Sequence, residues 1–166
     1  MTPFHRPFIV DVEASGFGPE SYPIEIGLAL DGDRRYCSLI EPHPAWTHWD
    51  QRAQQVHRIS RKMLTRHGKP LARVAHDLNH LLKNGVVYSD GWVVDKPWIS
   101  RLFNQAGLAR TFSVSPLERI MSQTQMELWH QTKDRVIQSL GLTRHRASTD
   151  AFIIQETYAK TRSMAH

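Results

Sequence analysis

The chain has 166 residues, 21 Lys plus Arg against 16 Asp plus Glu, a net charge of +5 and a sequence pI near 9.7. That length suits one domain with a real core, and the basic excess suits a polyanionic partner without saying anything about fold. A single cysteine, Cys37, excludes an intrachain disulfide; no apolar run reaches membrane-spanning length, and MTPFHRPFIV lacks the basic and apolar regions of a signal peptide. The expectation is a cytoplasmic protein of one domain over 1–166 with no membrane partner.

In chain order, residues 8–12 form an apolar run interrupted by acids and read as a strand, broken by Gly16, Gly18 and Pro19. Residues 24–30 read as a second strand, Asp31-Gly32-Asp33 as a tight turn and 35–40 as a third strand, so the first three form an antiparallel meander. After the loop EPHPAWTHWD, the pattern turns helical over 51–84, with Val74, Leu78, Leu81 and Leu82 at helical spacing and Gly85 as a stop. Residues 85–88 read as a buried strand, 96–105 as a helix ended by Gly107, 111–114 as a strand, and 116–140 and 147–161 as helices, the former with breaks. A meander followed by strand–helix–strand–helix implies an α/β fold with a mixed sheet.

The residues that carry chemistry are acids from three distant segments. Asp11 and Glu13 lie in PFIVDVEASGFG, Asp95 in YSDGWVVDKPWI, and Asp150 in HRASTDA, five residues after His145. On a strand Asp11 and Glu13 stand on one face about 6.5 Å apart, with Val10 and Val12 turned the other way into packing. Burying two such acids costs several kcal/mol, on the order of the penalty for any unpaired buried charge, unless a cation compensates or one stays protonated. The plain alternative is an edge strand with both acids in water. Asp95 precedes Lys96-Pro97 and reads as a helix N-cap placed where ligands bind at the ends of parallel strands; Asp90 is its competitor. Asp150 falls in the first turn of the last helix. His145, in the loop before it, has the ordinary pKa for proton transfer near neutrality. The four carboxylates supply the hard oxygen donors that Mg²⁺ or Mn²⁺ prefer, and with the histidine they make up the parts of a two-metal phosphodiesterase site.

In their order and spacing these segments resemble the DEDDh, or DnaQ-like, family of 3′→5′ exonucleases over nearly the whole chain. DVEASG followed by IEIGLAL resembles the family's first motif. VHRISRKMLTRHGKP is similar to its His-Gly-Ile-Thr segment, with Arg58 in place of the glycine. VYSDGWVVDKPWI matches the second motif, though Gly91 and Val94 stand where a polar pair and an aromatic are customary. HRASTDA meets the third motif, and its His–Asp spacing points to the histidine branch. The resemblance implies a ribonuclease H-like fold with a central five-stranded sheet in order 3-2-1-4-5 flanked by helices. It also implies two divalent metal ions, Mg²⁺ or Mn²⁺, with Asp11 bridging both, Glu13 and Asp150 completing one site, Asp95 holding the second, and His145 taking the proton from the attacking water. The implied reaction is hydrolysis of single-stranded RNA or DNA from a 3′ end to nucleoside 5′-monophosphates. Several similar small enzymes are homodimers.

Substrate contacts are expected from Phe17, which follows the Asp-x-Glu turn, from Trp92, and from Arg144 and Arg146, which bracket His145; Trp98 reads as core. Arg58, Arg61, Lys62 and Arg66 are further phosphate-contact candidates, weighed against a solvated helix face. His76 and His80 read as a surface pair rather than a zinc site. Two other readings remain open: a weak or inactive nucleic-acid-binding domain of the same fold, and a phosphodiesterase for very short oligonucleotides.

Overall fold

The computed structural model describes residues 5–141 and 145–166. Its strands are β1 (Ile9–Ala14), β2 (Pro23–Ala29), β3 (Arg35–Leu39), β4 (Val86–Ser89) and β5 (Ser113–Pro116). The helices are α1 (Gln51–His57), α2 (Arg61–His67), α3 (Leu71–Leu81), α4 (Trp92–Ala106), α5 (Gln123–Leu140) and α6 (Ala147–Met164), with a 3-10 turn over Leu117–Ile120. The sheet order is β3-β2-β1-β4-β5, as the resemblance implies. β1 pairs antiparallel with β2 and β2 with β3, whereas β1–β4 and β4–β5 are parallel.

The alternation along β1 divides the interior. Val10 and Val12 pack with Ile26 and Leu28 of β2 against Val74, Ala75 and Leu78 of α3 and Ile99, Leu102 and Phe103 of α4. Ile9 and Ala29 face the other way, onto Ala151, Ile154 and Tyr158 of α6 and Trp129 of α5. Asp11 and Glu13 share the face of Ile9 because strand side chains repeat every second residue. β1 therefore lies second to no edge: it is the middle strand of five, and its two acids are held inside the fold rather than along a solvated border.

Two local expectations change. Asp95 is not a helix N-cap: α4 starts at Trp92, capped by Gly91, whose carbonyl accepts from the backbone N–H groups of Val94 (3.0 Å) and Asp95 (2.9 Å). Pro97 then lies inside the helix, where it lacks the N–H that would bond the carbonyl of Val93. The strand read as buried over 85–88 is alternating instead, with Val86 exposed and Val87 in the core.

The tryptophan-bearing loop, which the sequence leaves without a role, is a brace. Trp46 stacks on Tyr22 with ring centroids 5.4 Å apart. His48 Nδ1 lies 3.1 Å from Ser15 Oγ, and the backbone N–H of Asp50 donates to the Ser15 carbonyl at 2.8 Å. Asp50 also caps α1 by accepting from the Arg52 N–H. The brace clasps the turn after β1 so closely that a Cβ on Gly16 would lie 2.6 Å from the His48 ring.

Candidate metal centre and substrate cleft

The end of β1 supplies the first two acids, and α6 delivers the third. Asp11 pairs across the sheet with Gly27 and Glu13 with Glu25. The first turn of α6 lies directly on Gly27: a Cβ there would meet the Ser148 backbone nitrogen at 2.1 Å. Glycine in IEIG thus lets a helix start touch the strand face that carries the acids. Glu25, fully buried, fixes that helix start. Its carboxylate accepts from the Ala147 N–H at 2.7 Å and from Arg146 Nε and Nη2 at 2.9 and 2.6 Å.

Docked this way, α6 brings Asp150 to Asp11 and Glu13. One carboxylate oxygen from each of the three lies within 4.8 Å of the others. Asp95 stands outside that trio but lines the same cleft, which has a volume of about 260 Å³. It is 3% exposed and accepts a 2.6 Å hydrogen bond from Ser89 Oγ at the end of β4. Asp90 also reaches the cleft, but it pairs with Lys133 Nζ at 3.6 Å.

Crowded carboxylates with little water raise one another's pKa. Burial, then the charges of Asp95, Glu13, Asp150 and Asp90, hold Asp11 well above the usual carboxylate range. Burial, then Asp150, Glu25 and Asp95, push Glu13 up to about 8, against a lowering pull from Arg146. Burial lifts Asp95 to about 7, with the Ser89 hydroxyl opposing and Asp90 adding to the rise. A divalent cation removes this repulsion, and an all-oxygen donor set is what Mg²⁺ and Mn²⁺ take. The residues therefore fit the ions that the sequence motifs imply.

His145 sits at φ 66°, and its backbone N–H donates to both carboxylate oxygens of Asp150, at 3.2 and 3.1 Å. The loop histidine is thereby tied to the neighbouring acid through the main chain. Phe17 lines the cleft and is 75% exposed, a bare ring at its mouth, with Val56 and Val94 as further exposed apolar lining.

Two substrate-contact expectations are revised. Trp92 is turned toward the core, its indole N–H donating to the Val114 carbonyl at 2.9 Å, and it does not line the cleft. Arg146 spends its guanidinium on Glu25 rather than presenting it to a phosphate. Arg144 lies outside the described residues. Trp98 packs on the core and donates to Ser21 Oγ at 2.8 Å, while also lining the cleft. Of the basic residues around α2, Arg61 lies over the Trp49 ring and donates to the Thr47 carbonyl.

Three residues of the site escaped the sequence reading. Glu25 was legible only as part of IEIG, and Ser89 as a strand-end serine. His57, in VHRIS, is 4% exposed and lines the cleft; its Nδ1 accepts from the Ile59 N–H at 2.9 Å, and its Nε2 has no hydrogen-bond partner among the described residues. Burial lowers its pKa, keeping the ring neutral at neutral pH.

No protein-family model matches the chain, and no curated protein sequence does. Among solved structures, Escherichia coli exonuclease I in complex with a dA16 oligonucleotide superposes with a TM-score of 0.72 at 12% identity, over 95% of this chain and 40% of the other. The zinc-ion-bound form of an E. coli exonuclease I complex with single-stranded DNA gives 0.69 at 11% identity, over 95% and 41%. Apo exonuclease I gives 0.70 at 12% identity, over 95% and 41%. The chain spans about two-fifths of the length of these exonuclease I chains, and at such identity the likeness establishes a shared ribonuclease H-like fold.

Proposed function

We propose that this chain is a metal-dependent 3′→5′ exonuclease domain that hydrolyses single-stranded nucleic acid to nucleoside 5′-monophosphates. One observation carries the reading: Asp11, Glu13, Asp95 and Asp150, from three remote segments, line a single cleft, and three of them crowd within 4.8 Å. The exonuclease I neighbours, which include complexes with oligonucleotides and a zinc-bound form, support it.

In this reading Asp11, Glu13 and Asp150 would hold one divalent ion, and Asp95, on the same cleft, would help to hold a second. When bound, the pair would supply a nucleophilic water at neutral pH and neutralise charge on the phosphate. The chain's own groups do the rest. Phe17, with Val56 and Val94, gives the terminal base an apolar face; stacking of this kind contributes about 1–3 kcal/mol per base. His145 accepts the proton of the attacking water, and its main-chain tie to Asp150 keeps the loop beside the cleft. Ser89 fixes the Asp95 carboxylate so that it need not reorganise during the reaction.

The test is incubation with end-labelled single-stranded RNA and DNA of several lengths, with Mg²⁺, Mn²⁺ or EDTA. The expected result is stepwise release of 5′-mononucleotides from the 3′ end, abolished by EDTA. Tight binding without release would instead support a silent nucleic-acid-binding domain. Activity that collapses beyond two or three residues would support a phosphodiesterase for very short oligonucleotides.

A further inference from the structure

A second groove, of about 350 Å³, opens beside the acidic cleft, and Asp90 lines both. Its position is set by the sheet. Strands β1, β4 and β5 run parallel; the cleft lies at the carboxyl ends of β1 and β4, and the groove at the carboxyl ends of β4 and β5, where Asp90 and Leu117 follow their strands. Ligands of open α/β sheets bind along this edge.

The groove's wall is one face of α5. Met126, Trp129, His130 and Lys133 are spaced i, i+3, i+4 and i+7, so they line up along the helix. Trp129 and Leu117 are buried in the core under α6 and form the floor, while Met121 and Met126 form apolar walls, Met126 42% exposed. An indole floor with thioether sides suits a flat π-system, since sulfur–aromatic and stacked contacts are both favourable there. Lys133 supplies a cation at the shared border, 3.6 Å from Asp90. Of the two acids on the groove, Asp90 faces Lys133 at 3.6 Å, beyond hydrogen-bond distance, which leaves the three N–H donors of the ammonium for a phosphate, and Glu118 is exposed.

We infer that this groove is the subsite for the penultimate nucleotide of the strand: its base lies between Met121, Met126 and Trp129, and Lys133 takes the phosphate that leads away from the acidic cleft. The inference rests on the exonuclease reading and adds a determinant of substrate length to it. A substrate with only one nucleotide fills the cleft alone; a dinucleotide fills both.

The probes are the methyl ester of thymidine 5′-monophosphate, whose leaving group is too small to reach the groove, and a thymidine dinucleotide and octanucleotide that both carry a 5′-phosphate, all with Mn²⁺. The variants are Met126→Glu, at an exposed position of α5, and Lys133→Gln, a partly buried position whose partner Asp90 also lines the cleft, so the ester reads any effect on the cleft itself. The expected result is a rise in KM of about tenfold or more for the dinucleotide and octanucleotide, the scale of one lost base contact, with less than a twofold change for the ester. Wild-type KM on the oligonucleotides in both variants, with the ester still cleaved, overturns the subsite and leaves the exonuclease reading standing. An equal loss on ester and oligonucleotide also overturns it, because the effect is then on the cleft or the fold. Failure of the wild-type protein to cleave any of the three probes overturns the exonuclease reading itself.

Discussion

Arg146 Nη2 lies 2.6 Å from Glu25 Oε2, across 121 residues of sequence, and this pair seats the start of α6 on the sheet. It does so beneath Asp150, so the position of one metal-ligand candidate depends on this ion pair. Replacing Arg146 by Ala leaves Glu25 buried with the Ala147 N–H as its remaining described donor. Breaking one side of a buried pair costs about 3–5 kcal/mol, and the partial exposure of Arg146 puts this case toward the lower end. Urea unfolding of Arg146→Ala should show the loss. Glu25→Gln, which keeps an acceptor for Ala147, should lose less. An unchanged midpoint for Arg146→Ala would leave the guanidinium free for the phosphate role read from the sequence.

The acidic trio predicts opposite responses to mutation with and without metal. Asp150→Asn and Asp11→Asn each remove a charge from a crowded set, so the metal-free variants should melt no lower than the wild type. Mn²⁺ should raise the melting temperature of the wild type, by mass action on a site present in the folded state alone, and should fail to raise that of either variant. A wild-type response in Asp150→Asn would remove that residue from the centre.

Why was so much of this visible in the sequence? β1 is legible because its alternation is strict: Val10 and Val12 had to be buried, so Asp11 and Glu13 had to share the other face, and only a central strand makes that arrangement costly enough to need a cation. The meander is legible from Gly and Pro breaks and the Asp31–Asp33 turn. Asp95 and its helix over 96–105 were located but the helix start at Trp92 was not, because Pro97 imitates a first-turn proline. Tertiary contact decides otherwise, through Gly91 capping and the Ser89 bond to Asp95. The packing of Trp92 and Arg146 was hidden for a related reason: an aromatic or a guanidinium near a site has the same composition whether it faces the ligand or the core, and only the bonds to the Val114 carbonyl and the Glu25 carboxylate show where each is engaged. Nothing local marks Glu25, whose partners are more than a hundred residues away.

Acidity should stabilise the metal-free protein. Glu13 is held at about 8 and Asp95 at about 7 by burial, and Asp11 is also raised. In the unfolded chain these groups ionise near their ordinary values, about 4. Between the two, the folded state binds more protons than the unfolded state, so stability falls as pH rises. It is complete below about pH 4 as far as these groups are concerned and declines from there through about pH 7 to 8, where Asp95 and Glu13 ionise in the folded state. Melting scans in EDTA should therefore run lower at pH 8 than at pH 5.5. Glu13→Gln should flatten the slope, and Mn²⁺ should raise the melting temperature more at pH 8, where fewer protons compete for the carboxylates. A metal-free protein that gains stability from pH 5.5 to 8 would contradict these shifts.

For His145 the informative change is to Asn. The residue sits at φ 66°, a conformation Asn tolerates, so the backbone bond to Asp150 survives while the base is lost. Turnover of a 3′-labelled oligonucleotide should slow by about 10²–10⁴-fold, the scale of general-base loss, with the Mn²⁺ thermal shift intact. An unaltered rate at neutral pH would exclude the imidazole from the reaction.

Arg58 poses the reverse question, a residue that costs stability where it stands. It ends α1 in the left-handed region, φ 60° and ψ 25°, with its N–H bonded to the Gln54 carbonyl at 2.7 Å. This is the position that the family pattern gives to glycine, and the reason is steric: a Cβ there crowds the following carbonyl by about 1 kcal/mol, a cost glycine avoids. Arg58→Gly should raise the urea midpoint by up to about 1 kcal/mol, less the entropy glycine adds to the unfolded chain. If Arg58 also grips the strand from the end of α1, beside the cleft-lining Val56 and His57, the same variant should bind single-stranded oligonucleotide more weakly and with a shallower dependence on salt. Greater stability with unchanged affinity would assign the arginine no part in binding; lower stability would show that its side chain does more for the fold than its backbone strain takes away.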